Sequence, residues 1–356
     1  MVNKADPDFV GDARRQSEHG IDRRRFLGGL VLGAGAGMLA SLGAPRFSHA
    51  ASTSMRNRIV VTAPTGNIGH QVLHNLLDSD ALHSGVSIRV IARDPSRLPT
   101  ATRGRIEVVQ GSHGDSAVVD EAFKDADTVF WLCPADPTAE SVMAAYVGFT
   151  RPACEAITAH GVRRVVGISA LGRGTPMAAS AGYVTASLAM DDLIAGTGAD
   201  FRALTMPSFM DNIARQAKPI RDQGVFFLPI DGDRKLPAVA TRDIASVAAS
   251  LLLDTSWSGR SEVPVLGPED LSFNEMASII SDVLGKPVRY QQVSFEAYKA
   301  GFVQRGMSEA MAQGMTDMAR AKNEGLDSAV QRTPASRTAT SFRQWCEDEL
   351  RPVVLR

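Results

Sequence analysis

The chain has little cysteine and almost no net charge, and each shortage excludes something. Three cysteines, Cys133, Cys154 and Cys346, are spread over 356 residues. They are too few and too scattered for a disulfide framework or a zinc cluster. Cys133 follows the apolar run Val129-Phe130-Trp131-Leu132 and reads as a small hydrophobe. A formal charge of −1, with no basic run beyond the N-terminus, excludes the concentrated basic face that a nucleic-acid binder needs. Metal chemistry finds no cluster either. His70 and His74 stand four apart but lack the glutamate of a zinc-protease helix, and with His83 they read as surface residues. No Gly-x-Ser-x-Gly elbow supports a hydrolase. What remains is 44% hydrophobic and 22% charged, the composition of a soluble globular protein with one large domain or two modest ones.

The first fifty residues differ from the rest. A polar start runs into Asp22-Arg23-Arg24-Arg25-Phe26-Leu27, followed by roughly twenty uncharged residues rich in Gly, Ala and Leu, a length that can span a bilayer. Phe47-Ser48-His49-Ala50-Ala51 then places small residues three and one positions before a cut after Ala50. These are the parts of a secretory signal peptide. Its Arg-Arg-x-Phe-Leu core resembles the twin-arginine export signal used for proteins that fold before crossing a membrane, with Asp22 in place of the usual Ser or Thr. Residues 1–50 are therefore expected to engage the twin-arginine translocase and to be removed. The product would be a periplasmic or otherwise exported protein with no stable membrane span. An uncleaved anchor is the alternative. Leu30-Val31-Leu32-Gly33-Ala34-Gly35-Ala36-Gly37 imitates a nucleotide-binding turn but belongs to this leader.

Beyond the leader, the most informative stretch is Arg58 to Leu73. Ile59, Val60 and Val61 form a β-branched run. A turn with Gly66 and Gly69 follows, and then helical apolar spacing at Ile68, Val72, Leu73 and Leu76. Strand, glycine-containing turn and helix in this order build a phosphate site, because a helix N-terminus offers unpaired N–H groups and partial positive charge. The strong form of this fingerprint has glycine where Ala63 stands. Further strands are expected at 86–92, 105–110, 128–132, 162–169 and 201–206. Helices are expected at 116–124, at 138–160 with an interruption near Pro152, and at 183–195. The alternation predicts an α/β fold: a Rossmann-type doubly wound parallel sheet over residues 51–208. Residues 209–356 form a smaller, helix-rich C-terminal lobe on the substrate side of the same domain. In that lobe Thr241 is expected to cap one helix and Ser272-Phe273-Asn274-Glu275 to form a capping box. Met307, Met311, Met315 and Met318 read as core packing.

The second strand ends in Ala92-Arg93-Asp94. An acidic residue there favours NAD, whereas an arginine accommodates the 2′-phosphate of NADP. Arg93 comes first and Arg97 adds charge, so NADP is expected, with NAD as the alternative.

Val61-Thr-Ala-Pro-Thr-Gly-Asn-Ile-Gly, Ala92-Arg-Asp-Pro-Ser-Arg-Leu, Glu107-Val-Val-Gln-Gly, Thr241-Arg-Asp-Ile-Ala and Val265-Leu-Gly-Pro-Glu-Asp-Leu-Ser resemble the NmrA-like NAD(P)-binding proteins. These are atypical members of the short-chain dehydrogenase/reductase superfamily. The resemblance implies cofactor contacts from Thr62, Ala63, Thr65, Gly66, Asn67, Ile68 and Gly69, from Arg93, and from Leu132, Cys133 and Pro134. It also implies a catalytic Ser169 and Tyr183. Here the chain departs from its relatives: Tyr183-Val-Thr-Ala-Ser187 puts serine where Tyr-x-x-x-Lys has its lysine. Without that cation a phenol titrates near 10, so Tyr183 could donate a proton but would be a poor base. Met206-Pro207 likewise replaces the Arg-Pro common in relatives. Substrate is expected near Trp131, Ser169, Tyr183, Phe209 and Asn212.

Two functions follow from the resemblance. One is an exported NADP-dependent oxidoreductase acting on a small carbonyl or quinone. The other is a non-catalytic redox sensor or interaction protein that binds NAD(P). Since no free NADP(H) pool is expected outside the cytoplasm, an exported protein would retain the cofactor with which it folded. The oligomeric state is left open by the sequence.

Overall fold

In a computed structural model of the chain, residues 57–80 and 85–356 are described. The described residues all lie in one unit of the chain. The expected signal peptide, its cut after Ala50 and His83 all lie outside the described residues.

β1 (Asn57–Thr62) lies inside a seven-stranded sheet because neither of its faces can go to water. Ile59 and Val61 point into one apolar cluster and Val60 into another, all three fully buried. Burying each such side chain stabilises the fold by about 1.5–3 kcal/mol. β2 (Val86–Ala92), β3 (Glu107–Gln110), β4 (Thr128–Trp131), β5 (Arg164–Ala170) and β6 (Asp200–Met206) follow, each after a crossover. The short β7 (Ser208–Phe209), β8 (Val225–Leu228) and β9 (Leu236–Val239) come next, then β10 (Arg260–Pro264), β11 (Asp270–Leu271) and β12 (Arg289–Gln292). The main sheet has the order β3-β2-β1-β4-β5-β6-β10. All its strands are parallel. Order reverses between β1 and β4, which opens a crevice beyond their C-terminal ends, where ligands of such sheets bind.

Helices cover both faces. Asn67–Asp78 and Thr241–Leu253 pack on one, through residues such as Val72, Leu76, Ile244 and Ala248. Ser116–Phe123, Phe149–His160 and Tyr183–Ala195 pack on the other, through Phe123, Ile157 and Met190. A third cluster includes Ile213, Phe226, Phe273, Ile280, Phe342 and Trp345. It lies in the C-terminal part, with two small sheets, β11-β9-β7 and β12-β8.

Three local details bear on the expectations from sequence. The capping box forms as expected: Ser272 Oγ accepts from Glu275 N, and Glu275 Oε2 accepts from Ser272 N. Thr241, by contrast, does not cap its helix. It is the first helical residue, and the capping oxygen is supplied by Asp211 from 30 residues earlier, whose Oδ2 accepts from Thr241 N at 3.1 Å. The interruption expected near Pro152 lies one turn earlier, at Ala144–Gly148, where the chain forms a π-helical turn before continuing as an α-helix through Pro152. A proline cannot donate to the carbonyl four residues back and crowds it. For Pro152 that carbonyl belongs to Gly148, so the distortion falls before the proline.

Candidate cofactor and active site

The turn after β1 is built around one close approach. Gly66 N donates to Ala63 O at 3.0 Å, closing the loop over the start of the helix Asn67–Asp78. A Cβ at Gly69 would stand 2.8 Å from the Ala63 carbonyl carbon, with the oxygen nearer still, whereas one at Gly66 would meet that oxygen at 3.3 Å. Gly69 is therefore the glycine the turn cannot replace. Ala63 itself takes φ +50°, a left-handed conformation that strains any residue with a Cβ by about 1–2 kcal/mol. The glycine missing from the sequence motif is thus missing where the backbone would use one. No side chain caps the helix and no acidic residue lies in its first turn, so its leading N–H groups are left for an anion.

Asn67 does not aim its side chain at that site. Its Nδ2 donates to Asp211 Oδ1 at 2.8 Å and to Thr241 Oγ1 at 3.1 Å. Thr241 Oγ1 also donates to Asp211 Oδ1 at 2.7 Å and accepts from Gln71 Nε2 at 3.1 Å. Asp211 therefore ties the phosphate loop to the helix Thr241–Leu253. Sequence reasoning missed it because the partners are far apart in the chain.

At the end of β2, Asp94 is bonded locally through one oxygen. Its Oδ1 accepts from Ser96 N and Oγ at 3.0 and 2.6 Å, and these bonds hold its carboxyl below the usual range. Both bonds fall on Oδ1 and tie the carboxylate to the turn Pro95–Arg97. Arg93 is exposed, and among the described residues no ion pair to a carboxylate involves it. The arrangement suits a 2′-phosphate.

Thr62 shapes the next segment. It is fully buried, donates to Phe130 O at 2.9 Å and accepts from Leu132 N at 3.0 Å, so its hydroxyl locks β1 to the exit of β4. His113 holds the same exit from the other side. Burial pushes its pKa down to about 4. It is therefore neutral near pH 7, and its ε N–H donates to Leu132 O at 3.0 Å. The ring stands edge-on to Trp131 and Phe149. Nothing in the spacing of the sequence marks this histidine. Trp131, expected beside substrate, is instead a core residue, with its indole N–H on Thr150 Oγ1 at 3.2 Å. Cys133 donates to Ala145 O, and burial pushes its thiol up to about 12, so it is inert. Pro134 and Asn212 are exposed, and Phe209 packs against the core.

Among the described residues no hydrogen bond joins Ser169 to Tyr183. The buried Ser169 donates to Asp191 Oδ2, two helical turns beyond Tyr183. Asp191 is 2% exposed and its Oδ1 has no partner. Burial pushes its pKa up to about 7, opposed by the Ser169 hydroxyl and by Arg173, whose Nη2 lies 3.8 Å away. A carboxyl raised in the fold keeps a proton that the unfolded chain has released. Stability should therefore fall as pH rises from about 4 to about 7, by on the order of 2–4 kcal/mol. Asp191→Asn is expected to flatten that slope, measured as urea midpoints at pH 5 and pH 8; an unchanged slope would assign it elsewhere.

Tyr183 heads its helix half-buried and packs edge-on against Tyr146, with ring centroids 5.9 Å apart. Burial raises its phenol, and no cation opposes this. Ser187, at the lysine position, is itself buried. Gly182 and Gly314 allow this packing. A Cβ at Gly182 would meet the Gly314 backbone carbon at 2.7 Å, and one at Gly314 would press on the Tyr183 ring at 3.1 Å.

The uncapped helix, the Gly69 cradle and the free Arg93, gathered at the switch point of a parallel sheet, fit a dinucleotide with an extra phosphate. The chain belongs to the NAD(P)H-binding family, whose model matches residues 64–255. Residues 200–345 also match the NmrA-like family. The chain is 30% identical to the (4-alkanoyl-5-oxo-2,5-dihydrofuran-3-yl)methyl phosphate reductase of Streptomyces griseus, covering 81% of this chain and 96% of the relative. It is 25% identical to the NAD(P)H azoreductase of Xenophilus azovorans, over 73% of this chain and 85% of the relative. In fold it is similar to the NADPH-dependent quinone oxidoreductase of Escherichia coli, with a TM-score of 0.64 and 21% identity over 80% of this chain and 97% of that one. It also resembles the triphenylmethane reductase of Citrobacter sp. complexed with NADP(H), with a TM-score of 0.66 and 20% identity over 80% and 98% of the two chains.

Proposed function

We propose that the protein is an NADP-dependent oxidoreductase that reduces a small carbonyl or quinone compound. We further propose that residues 1–50 export it folded, so that it works outside the cytoplasm with a retained cofactor. The observation that carries the cofactor choice is Arg93, unpaired beside an Asp94 already bound to Ser96. When bound, the dinucleotide supplies hydride. The chain's own part is to hold the pyrophosphate on the amides after Gly66, to place the 2′-phosphate against Arg93, and to offer the substrate oxygen a neutral phenol at Tyr183. The reductase names of the relatives support turnover.

NADPH oxidation by purified protein with quinones, aldehydes and azo dyes tests the reading. Tight cofactor binding with no acceptor-dependent oxidation would instead support a non-catalytic redox sensor, the reading favoured by Ser187 in place of lysine. Arg93→Ser is expected to weaken NADPH binding roughly tenfold while leaving NADH binding within about twofold, as loss of one phosphate–arginine contact implies. Equal loss for both cofactors would remove Arg93 from the argument. Mass analysis of the exported protein, looking for cleavage after Ala50 and a co-purifying nucleotide, tests export and retention.

A further inference from the structure

The hydrogen bonds around Asp211 run in one direction. Thr241 Oγ1 accepts from Asn67 Nδ2 and from Gln71 Nε2, each at 3.1 Å, and gives its own proton to Asp211 Oδ1. Asn67 Nδ2 also donates straight to that oxygen, while Asp211 Oδ2 accepts from Thr241 N. Gln71 Nε2 reaches Asn67 Oδ1 and the Asn67 carbonyl as well, both at 3.1 Å. The donors therefore converge on one carboxylate, which accepts on both oxygens. Whichever way it turned, an asparagine in its place would set an N–H against Thr241 N or against Asn67 Nδ2, so an amide of the same shape cannot take over.

Asp211 is itself held from behind. It starts the short helix Asp211–Ala214 directly after β7, whose Phe209 pairs with Val239 of β9. Between them the buried Met210 donates its N–H to Val239 O at 2.9 Å. The carboxylate thus belongs to the C-terminal lobe. Yet Asn67 and Gln71 lie in the first two turns of the helix whose leading amides are left for the pyrophosphate, and Asn67 is its first residue. A carboxylate beside such a helix end also opposes an anionic ligand. At a solvent-exposed edge one screened like charge weakens an anion's binding by about two- to threefold. Loss of the bonds that align the helix end outweighs this, because each hydrogen bond to a charged group is worth about tenfold or more.

We propose that Asp211 is a positioning residue for the cofactor: through Asn67 it fixes the first turn of the helix Asn67–Asp78, so that the C-terminal lobe sets the geometry in which the turn after β1 meets the pyrophosphate. The net effect of the carboxylate is to tighten dinucleotide binding in spite of its charge. Asp211 does not touch the dinucleotide in this arrangement and acts through Asn67. The proposal rests on the placement of the pyrophosphate on that turn and is independent of turnover.

Isothermal titration of the full chain with NADP+ tests it, using Asp211→Ala, Asp211→Asn, Asn67→Ala and the Asp211→Ala/Asn67→Ala double variant. Melting of the nucleotide-free forms, followed in parallel, shows that each variant is folded. Asp211→Ala is expected to weaken NADP+ binding about tenfold, and Asp211→Asn nearly as much although it removes the like charge. Adding Asn67→Ala to Asp211→Ala should weaken binding by less than about twofold more, because both changes break the same link. Should Asp211→Ala not fold, Asp211→Asn completes the same cycle. Losses that multiply in the double variant would leave Asp211 as a cap of the helix Thr241–Leu253 alone, and would overturn the proposal. So would tighter binding in Asp211→Asn, or an affinity for Asp211→Ala within about twofold of wild type. Gly69→Ala is the reference for the turn itself: a loss there without one at Asp211 refutes the positioning role only, whereas no loss at either refutes the placement of the pyrophosphate.

Discussion

Gly69→Ala is expected to release the cofactor. The added methyl would lie within 2.8 Å of the Ala63 carbonyl carbon, and that carbon belongs to backbone, which cannot swing aside. Relief requires the turn to open. This moves the N-terminus of the helix Asn67–Asp78 and breaks the Gly66 N to Ala63 O bond that shapes the loop. Overpacking of this kind destabilises the fold by about 1–3 kcal/mol. The larger effect is on binding, since the pyrophosphate depends on several N–H groups kept in one geometry. NADPH affinity, followed by fluorescence, should fall by roughly a hundredfold or more, with a smaller loss for Gly66→Ala. Affinity within twofold of wild type for Gly69→Ala would mean that the dinucleotide does not lie on this turn.

The second large effect concerns stability. Lys322 closes the helix Glu309–Asn323 and pairs with Asp327 in the turn Leu326–Ala329. Side chains of both are almost wholly buried, and Asp327 Oδ1 has no other partner. Next to this pair, Leu326 packs against Gly172 just beyond β5; a Cβ there would stand 2.8 Å from it. Removing one member strands the other charge in the interior, which typically destabilises by 3–5 kcal/mol. Asp327→Ala should lower the thermal midpoint by roughly 10 °C. Removing both charges together, as Lys322→Met with Asp327→Leu, should recover most of that loss, because two desolvation penalties disappear with the pair. A double variant as unstable as the single one would mean that the pair contributes more than mutual neutralisation.

The parts of the fold legible in the sequence were those with local causes. β2 occupies the expected Val86–Ala92, and one helix the expected Tyr183–Ala195. Their apolar periods are uninterrupted, and turn formers bound them. The phosphate turn was legible for the same reason, since strand, glycines and helix are consecutive. What escaped were side chains whose partners are remote. Asp211 caps a helix that Thr241 was expected to cap, and His113 props Leu132. Trp131 shared its strand with cofactor-side residues but faces the opposite layer, because alternate residues of a strand point to opposite faces. Ser169 was placed correctly at the end of β5, yet its hydroxyl turns to Asp191. For the π-turn a signal existed: Pro152 leaves the Gly148 carbonyl without its usual donor, so a distortion one turn before it is understandable.

The bond from Asn67 to Asp211 joins residues 144 apart, and the one from Asn67 to Thr241 spans 174. Contacts of that separation form late, after most of the chain-closure entropy has been overcome. The nucleotide pocket therefore cannot mature on the ribosome when its own strand and helix emerge; it must wait for the segment through Leu253. Nucleotide occupancy is thus expected to certify completed folding and to be missing from chains truncated before Leu253 even when residues 57–78 are intact.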